Sequence, residues 1–321
     1  MILRSHRKGH TTAAEKVHFF WHGAELSVYE WACVSSFRRA GFEVTLWSYE
    51  PPHLPDHVVA RDAALVLPRS ELTRYTQGGI SGSIAAFTDF FRYELLGRER
   101  GWWCDTDVLC LRGESEFGAF DQPLVIAFES PRKANGAVLK FNHPAHAIEL
   151  KQRADAIAAA GANHFAWGAV GPHLLTEFVN RVDWQSPVLA AETFYPIHYS
   201  RAELMLDPDR RDEAKALCVN AYACHLWNEI IRRWAVPKSI LPPAGSLLHE
   251  CFVAAAPELA QLPALPMETL RALLGQAALR AEEEDPGFVH HLQALAPSLL
   301  KALGKRLGRG RGVSRKRVDA R

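Results

Sequence analysis

The sequence has no run of 18 consecutive apolar residues and no Cys-x-x-Cys pair, and its 321 residues include only 6 cysteines and 3 methionines. The first absence argues against a membrane-spanning helix, and the second against the common zinc and disulfide-exchange sites. A chain of this length can fold without disulfides, so we expect its cysteines to be reduced thiols. Its N-terminal segment also lacks the apolar stretch of a secretory signal, so we expect a cytoplasmic protein.

Positive and negative charges nearly balance over the whole chain, but they are unevenly distributed along it. The chain has 37 Lys and Arg against 36 Asp and Glu, a formal net charge of +1. The last 21 residues hold nine of the basic residues and one acidic residue, which leaves 28 against 35 elsewhere, a net charge of −7. With 48% hydrophobic residues the body can bury a large core, as one large domain or two smaller ones. The sequence therefore predicts an acidic globular body and a basic tail.

Apolar periodicity predicts an α/β fold that begins with a strand, a helix and a second strand. Residues 17–23 form a short apolar run, residues 26–41 have helical spacing, and residues 42–50 alternate between apolar and polar. Such a unit implies a parallel sheet with helices on its faces. Further strands are predicted at 63–68, 123–130, 137–141 and 216–227, and further helices at 84–100, 143–161, 171–182 and from 267 onward.

Two carboxylates, Asp105 and Asp107, interrupt an apolar run of tryptophans, cysteines, valine and leucines. An unpaired buried charge is costly, so a partner must compensate them. In a strand both side chains would point to the same face, and neighbouring carboxylates tolerate each other when a proton or cation lies between them. Mg²⁺ or Mn²⁺ held by carboxylates and substrate phosphates is the usual arrangement. The pair therefore predicts a seat for a metal diphosphate; alternatively, it caps a turn or meets arginines such as Arg112.

The block FTDFFRYELLGRERGWWCDTDVLCL resembles the signature of the Asp-x-Asp sugar transferases with a GT-A fold. This is the capsular-polysaccharide and α-1,4-glycosyltransferase group, related to clostridial glucosylating toxins and yeast mannosyltransferases. Segments 19–50, WGAVGPHLL and YACHLWNE are similar to its first βαβ unit, its Gly-Pro motif and its late His-x-Trp motif. The resemblance covers roughly residues 17–245. The block residues that fall in register are Asp89, Arg92, Leu95, Gly101, Trp103, Asp105 and Asp107, whereas Arg100 replaces a common glycine.

The resemblance implies a GT-A-like, Rossmann-type mixed sheet flanked by helices. It implies a catalytic domain at residues 16–255, after a flexible N-terminus at 1–15. A helical, basic extension would follow at 256–321, with a disordered end.

The resemblance also implies a metal and a catalytic set. Asp105, Asp107 and His225 would hold a divalent cation, Mn²⁺ or Mg²⁺, and the diphosphate of the donor. Asp89 and Arg92, three apart on one helix face, would bind the donor sugar hydroxyls, and with Asp107 they would be the catalytic residues. A core histidine and an ordinary helical ion pair are the alternatives.

Further residues would line the substrates. The implied roles are stacking near the nucleobase for Trp21, a turn that approaches the donor sugar for Asn135 and Gly136, a cover over the diphosphate for Trp227, and the acceptor side for Gly171 and Pro172. A core tryptophan and a plain Asn-Gly hairpin explain Trp21 and the Asn135–Gly136 pair almost as well.

The resemblance implies a metal-dependent, retaining glycosyltransferase. It would move a hexose or N-acetylhexosamine from a nucleotide sugar, UDP-linked, to a saccharide or lipid-linked acceptor. Two alternatives remain: a phosphatase of haloacid-dehalogenase type, in which the first Asp of the pair would be a nucleophile, and a non-catalytic carbohydrate-binding or scaffold protein with a structural cation. Val108 argues against the phosphatase, because that motif normally continues with Gly or Asn.

The tail predicts a separate contact. Leucines at helical spacing precede a basic cluster, a pattern that favours peripheral binding to an anionic membrane, here at the inner face of the cytoplasmic membrane. A disordered, solvated end is the alternative. Nucleic acid is not an expected partner, because no aromatic residues interleave the charges.

Overall fold

A computed structural model describes residues 14–72, 84–161 and 166–284 of the chain. The strands of this part are β1 (Lys16–Phe20), β2 (Glu43–Ser48), β3 (Val59–Asp62), β4 (Trp102–Cys104), β5 (Val108–Cys110), β6 (Leu124–Ser130), β7 (Lys133–Phe141) and β8 (Ala223–His225). The α-helices are α1 (Val28–Arg39), α2 (Ala85–Arg98), α3 (Glu114–Phe117), α4 (Pro144–Ala160), α5 (Pro172–Asn180), α6 (Arg211–Leu217), α7 (Asn228–Arg233), α8 (Leu247–Ala255) and α9 (Met267–Glu284).

Six strands form one mixed sheet, in the order β3-β2-β1-β4-β7-β6. The pairs β1–β2, β2–β3 and β1–β4 are parallel, whereas β7 is antiparallel to both β4 and β6. Strands β5 and β8 form a separate antiparallel ribbon. The mixed sheet with flanking helices confirms the predicted α/β class, and β1, α1 and β2 confirm the predicted first unit.

Alternation along the strands divides the core into two clusters. Trp102 belongs to the cluster that α1 and α8 cover, and its neighbour Trp103 belongs to the cluster that α2, α4 and α5 cover. Leu259, Leu265 and Leu270 join the first cluster, so the start of the predicted extension packs on the domain. The predicted boundary at residue 255 stays a prediction. All six cysteines are free thiols.

The prediction of a strand at 63–68 is wrong. Strand β3 ends at Asp62, whose carboxylate accepts a hydrogen bond from the backbone N–H of Ala64 at 2.9 Å and so begins a 3₁₀ turn at Ala63–Leu65. The true strand was missed because all four residues of this edge strand are exposed and lack an apolar pattern.

The prediction of a strand at 216–227 is right only for Ala223–His225. Its first residues complete α6 instead. The predicted helix from residue 267 is confirmed by α9, and the basic tail beyond residue 284 lies outside the described residues. Within the described part, no helix is both long enough and apolar enough to cross a membrane.

Candidate functional site

The predicted acidic pair forms a turn where the chain leaves the large sheet. The prediction that Asp105 and Asp107 lie within one strand is wrong, because β4 ends at Cys104 and β5 begins at Val108. The backbone N–H of Val108 donates to the carbonyl of Asp105 at 3.1 Å, which closes the turn. The two carboxylates therefore converge through a turn and not through strand alternation.

Strand β8 brings a histidine to this turn. Val108 lies opposite His225 in the β5–β8 ribbon, so the imidazole reaches the preceding carboxylate, with Nε2 3.2 Å from Oδ2 of Asp107. One ligand atom each from Asp105, Asp107 and His225 lies within 4.8 Å of the others. Nδ1 of His225 is buried and makes no hydrogen bond within the described part. Two carboxylates and an imidazole fit a divalent cation such as Mn²⁺.

The electrostatic surroundings favour the charged forms of both Asp107 and His225. Burial alone would raise the pKa of Asp107, but His225, the backbone N–H of Asn228 at 2.8 Å and the Lys238 ammonium lower it to about 2. Burial alone would lower the pKa of His225, but Asp107 and Asp105 raise it above its usual value. A cation that His225 ligated would therefore have to displace a proton.

A second polar pair lies beside the acidic turn, on α2. Arg92 Nη2 lies 3.1 Å from Oδ1 of Asp89 and 3.5 Å from Oδ1 of Asp105, so the guanidinium connects helix and turn. Trp103 also donates from Nε1 to Oδ1 of Asp105 at 2.7 Å, and its ring lies 5.2 Å from the Arg92 guanidinium. The structure thus brings the predicted metal set and the predicted sugar pair into one site.

The carboxyl of Asp89 is the most strongly perturbed acid of the site. Its pKa is raised to about 7, because burial and the nearby Asp105 carboxylate raise it by more than the Arg92 guanidinium lowers it. Burial alone would lower the pKa of Arg92, but Asp105 and Asp89 raise it above its usual value. Arg92 therefore stays charged, while Asp89 can take up or release a proton near neutral pH.

Two glycines leave the space that the Asp89 and Arg92 side chains occupy. A Cβ atom on Gly171 would lie 2.2 Å from Oδ2 of Asp89, and a Cβ atom on Gly136 would lie 2.6 Å from Nη1 of Arg92. The same Nη1 donates to the Gly136 carbonyl at 2.5 Å. Gly171 precedes Pro172, the first residue of α5. Both predicted glycines thus touch the Asp89–Arg92 pair, and the acceptor role of Gly171 and Pro172 stays a prediction.

The predicted turn at Asn135 and Gly136 is wrong. Both residues lie inside β7, and the β6–β7 hairpin turns at 131–132, where Arg132 has a φ of 61°. The Asn135 amide donates to Glu129 at 2.6 Å, and its oxygen accepts from the backbone N–H of Ala137 at 2.7 Å. Its side chain therefore has partners within the β6–β7 hairpin, and its contact with a donor sugar stays a prediction.

The two predicted aromatic contacts occupy different settings. Trp21 follows β1, is half-buried, and has an indole N–H without a hydrogen-bond partner within the described part. Trp227 is buried, and its indole donates to the carbonyl of Ile197 at 2.8 Å. Its ring centroid lies 4.2 Å from that of His225. In the structure Trp227 therefore supports the histidine, and both donor roles stay predictions.

Four residues in or next to the site were missed by sequence reasoning. The Tyr195 hydroxyl donates to the carbonyl of Asn135 at 3.0 Å, and its ring lies 6.0 Å from that of His225. The others are Asn228, whose backbone N–H donates to Asp107, Lys238, whose charge lowers the pKa of Asp107, and Glu30, which contacts Asn228 and Lys238. Only Asn228 carried a signal, since it directly follows the His-x-Trp motif.

Comparison with known families gives one match. Residues 163–248 match the model of the alpha 1,4-glycosyltransferase conserved region. That segment contains Gly171, Pro172, His225 and Trp227. The match confirms the predicted resemblance to this group and supports a role in sugar transfer. No curated protein sequence matches the chain.

Several solved structures are also similar to the chain at low identity. PaToxG glycosyltransferase has 11% identity and a TM-score of 0.36, and the match covers 51% of this chain and 67% of the PaToxG chain. The galactosyltransferase LgtC in complex with donor and acceptor sugar analogues has 11% identity and a TM-score of 0.41, with 77% and 97% covered. The glycosyltransferase GlyE of Streptococcus pneumoniae TIGR4 has 12% identity and a TM-score of 0.45, with 84% and 64% covered.

Proposed function

We propose that this chain is a metal-dependent glycosyltransferase. It transfers a hexose or N-acetylhexosamine from a nucleotide sugar, UDP-linked, to a saccharide or lipid-linked acceptor. The observation that carries the proposal is the junction at Asp105, which belongs to the cation ligand set and also contacts Arg92 of the buried Asp89–Arg92 pair. A purely structural cation site would need no second polar pair beside it.

Two groups of residues would bind different parts of the donor, its diphosphate and its sugar. Asp105, Asp107 and His225 would hold a divalent cation, which supplies Lewis-acid stabilisation of the departing nucleoside diphosphate. Asp89 and Arg92 would bind hydroxyls of the transferred sugar, since charged groups make strong hydrogen bonds. Their side chains are 7% and 6% exposed, whereas that of Asp105 is 31% exposed, so we expect the donor to approach from the Asp105 side.

Retention of configuration is part of the proposal. It is supported by the resemblance to a retaining group, so an α-configured donor would give an α-linked product. Nuclear magnetic resonance of the first product formed would measure the anomeric configuration directly.

A donor screen tests the proposed reaction. The full chain would be incubated with UDP-hexoses, UDP-N-acetylhexosamines and GDP-mannose, with Mn²⁺ or with chelator, and nucleoside diphosphate release would be measured. We expect release from one donor class that requires the cation and is lost in Asp107→Asn. Phosphate release from an aryl phosphate without nucleotide-sugar turnover would instead support the phosphatase. Cation binding without binding of UDP would support the scaffold.

The proposal extends to the surroundings of the acceptor. The nine Lys and Arg among the last 21 residues would bind an anionic membrane surface and bring the site near a lipid-linked acceptor. Co-sedimentation of the full chain and of a chain truncated after residue 285 with anionic and neutral vesicles tests this. Equal binding of both chains to anionic vesicles would contradict it.

A further inference from the structure

The carboxylate of Asp107 is held by a backbone group that α7 supplies. The N–H of Asn228, the first residue of α7, donates to Oδ2 of Asp107 at 2.8 Å. His225 Nε2 contacts the same oxygen, at 3.2 Å. With both contacts on Oδ2, the orientation of the carboxylate depends on where the first residue of α7 lies.

The side chain of Asn228 is in turn held by a residue of the first helix, α1. Its side-chain amide donates to Oε1 of Glu30 at 2.8 Å, and Glu30 lies in the first turn of α1. Asn228 follows Trp227, which has a left-handed backbone with a φ of 59°, so α7 begins at a sharp change of direction. The Glu30 contact therefore connects the start of α7 to the start of α1.

Glu30 is a fully buried carboxylate, with 0% of its surface exposed. A glutamate in this position of a capping box is normally at the surface, and a buried charge needs partners. Here Ser27 and the ammonium of Lys238 contact it. The carbonyl of Lys238 also accepts from the backbone N–H of Val28 at 3.0 Å. The ion pair is thus built into the junction of α1 with the segment that follows α7.

We propose that Glu30, paired with Lys238, is a positioning residue that acts through Asn228 to orient the Asp107 carboxylate, leaving Oδ1 for the cation. The inference rests on the proposed function, because it concerns the same cation site. Outer partners of metal ligands typically change metal affinity by about 10- to 100-fold when they are removed. Glu30 itself contacts Ser27, Asn228 and Lys238, which belong neither to the proposed cation ligands nor to the Asp89–Arg92 pair.

Mn²⁺ binding to the full chain tests the positioning role without any activity measurement. Asn228→Ala removes the side-chain amide and keeps the backbone N–H that Asp107 accepts. We expect it to weaken Mn²⁺ binding about tenfold, measured by electron paramagnetic resonance of free Mn²⁺. Glu30→Gln should weaken binding in the same direction. The double variant should bind no more weakly than Asn228→Ala, because both residues act through one contact.

A matched control separates positioning from a general loss of stability. Asn142 donates from its amide to the carbonyls of Phe120 and Gln122, at 3.1 and 2.8 Å, and is not part of this network. Asn142→Ala should lower the melting temperature by a similar amount, yet bind Mn²⁺ as the unmodified chain does.

Two results would overturn different claims. If Asn228→Ala bound Mn²⁺ like the unmodified chain while Asp107→Asn did not bind it, the positioning role would be wrong and the cation site would stand. If Asp107→Asn bound Mn²⁺ as well as the unmodified chain, or if the latter bound none, the proposed function would fail and the inference with it. Asn228→Ala decides the matter even if Glu30→Gln does not fold.

Discussion

The Nε2 atom of His225 lies 3.2 Å from Oδ2 of Asp107, at the end of a two-stranded ribbon that joins two distant parts of the chain. The ribbon pairs Val108 with His225 and so sets the histidine beside the acidic turn. A carboxylate and an imidazole at this distance share a proton or a cation. Four predictions follow from this arrangement and from the polar pair beside it.

Replacing Asp107 by Asn should greatly weaken cation binding. The amide keeps the shape of the side chain but removes the charge that a divalent cation needs, so we expect Mn²⁺ affinity to fall by about 100-fold or more. Titration calorimetry measures the effect. Asp155→Asn is the control, because Asp155 is an exposed helical residue whose carboxylate pairs with Lys151, and its Mn²⁺ affinity should not change. Unchanged affinity in Asp107→Asn would contradict the assignment of the site.

Mn²⁺ binding should strengthen as pH rises. Asp107 and Asp105 raise the pKa of His225 above its usual value, so the imidazole keeps its proton to higher pH, and a cation that it ligates displaces that proton. Below the raised pKa binding should weaken by up to about tenfold per pH unit. Calorimetry in two buffers of different ionisation enthalpy measures the released proton. His225→Gln should bind more weakly and lose this proton release; a pH-independent affinity in the unmodified chain would contradict ligation by His225.

The substitution Gly171→Ala should disturb the site. Its Cβ would lie 2.2 Å from Oδ2 of Asp89, well inside contact distance, so the carboxylate or α5 must shift. Overpacking of this kind costs about 1–3 kcal/mol of unfolding free energy, and we expect donor turnover to fall at least tenfold. Urea unfolding and nucleotide release measure both effects.

Gly275→Ala is the matched control, because it lies in α9 and its Cβ would meet nothing within 4 Å. It should leave turnover unchanged and raise stability by up to about 1 kcal/mol, through helix propensity. Equal effects of the two variants would show that Gly171 has no special contact.

The stability of Asp89→Asn relative to the unmodified chain should depend on pH. Burial raises the pKa of Asp89 from 3.8 to about 7, so the folded state holds a proton that the unfolded state loses first. The stability that this proton contributes is fully present below pH 3.8 and is lost as pH rises to 7. The amide of the variant does not titrate. Between about pH 4.5 and 7, the free energy of unfolding of the variant should therefore rise by up to about 3 kcal/mol relative to that of the unmodified chain. Urea unfolding at both pH values checks this; a constant difference would contradict a raised pKa.

Local spacing made much of the site predictable from the sequence. Asp89 and Arg92 lie three apart on one helix, and Asp105 and Asp107 lie two apart after the next strand, so short-range geometry limits how far apart they can be. The separation of His225 from this block is much longer, and only the resemblance of its motif marked it. The turn that the resemblance implied at Asn135 and Gly136, and the Asn-Gly hairpin that was its alternative, are both wrong, because pairing with β6 keeps this segment in β7.

The sequence alone determined the α/β class and the first βαβ unit, because these depend on periodicity along the chain, and the resemblance of its motifs marked the acidic and basic side chains from which the site is built. Tertiary structure decided which oxygen of Asp107 is held, why Gly136 and Gly171 must lack a side chain, and why Glu30 is buried against Asn228 and Lys238. Those contacts join segments far apart in sequence. Their energy comes from burial and charge pairing that exist only once the chain has folded.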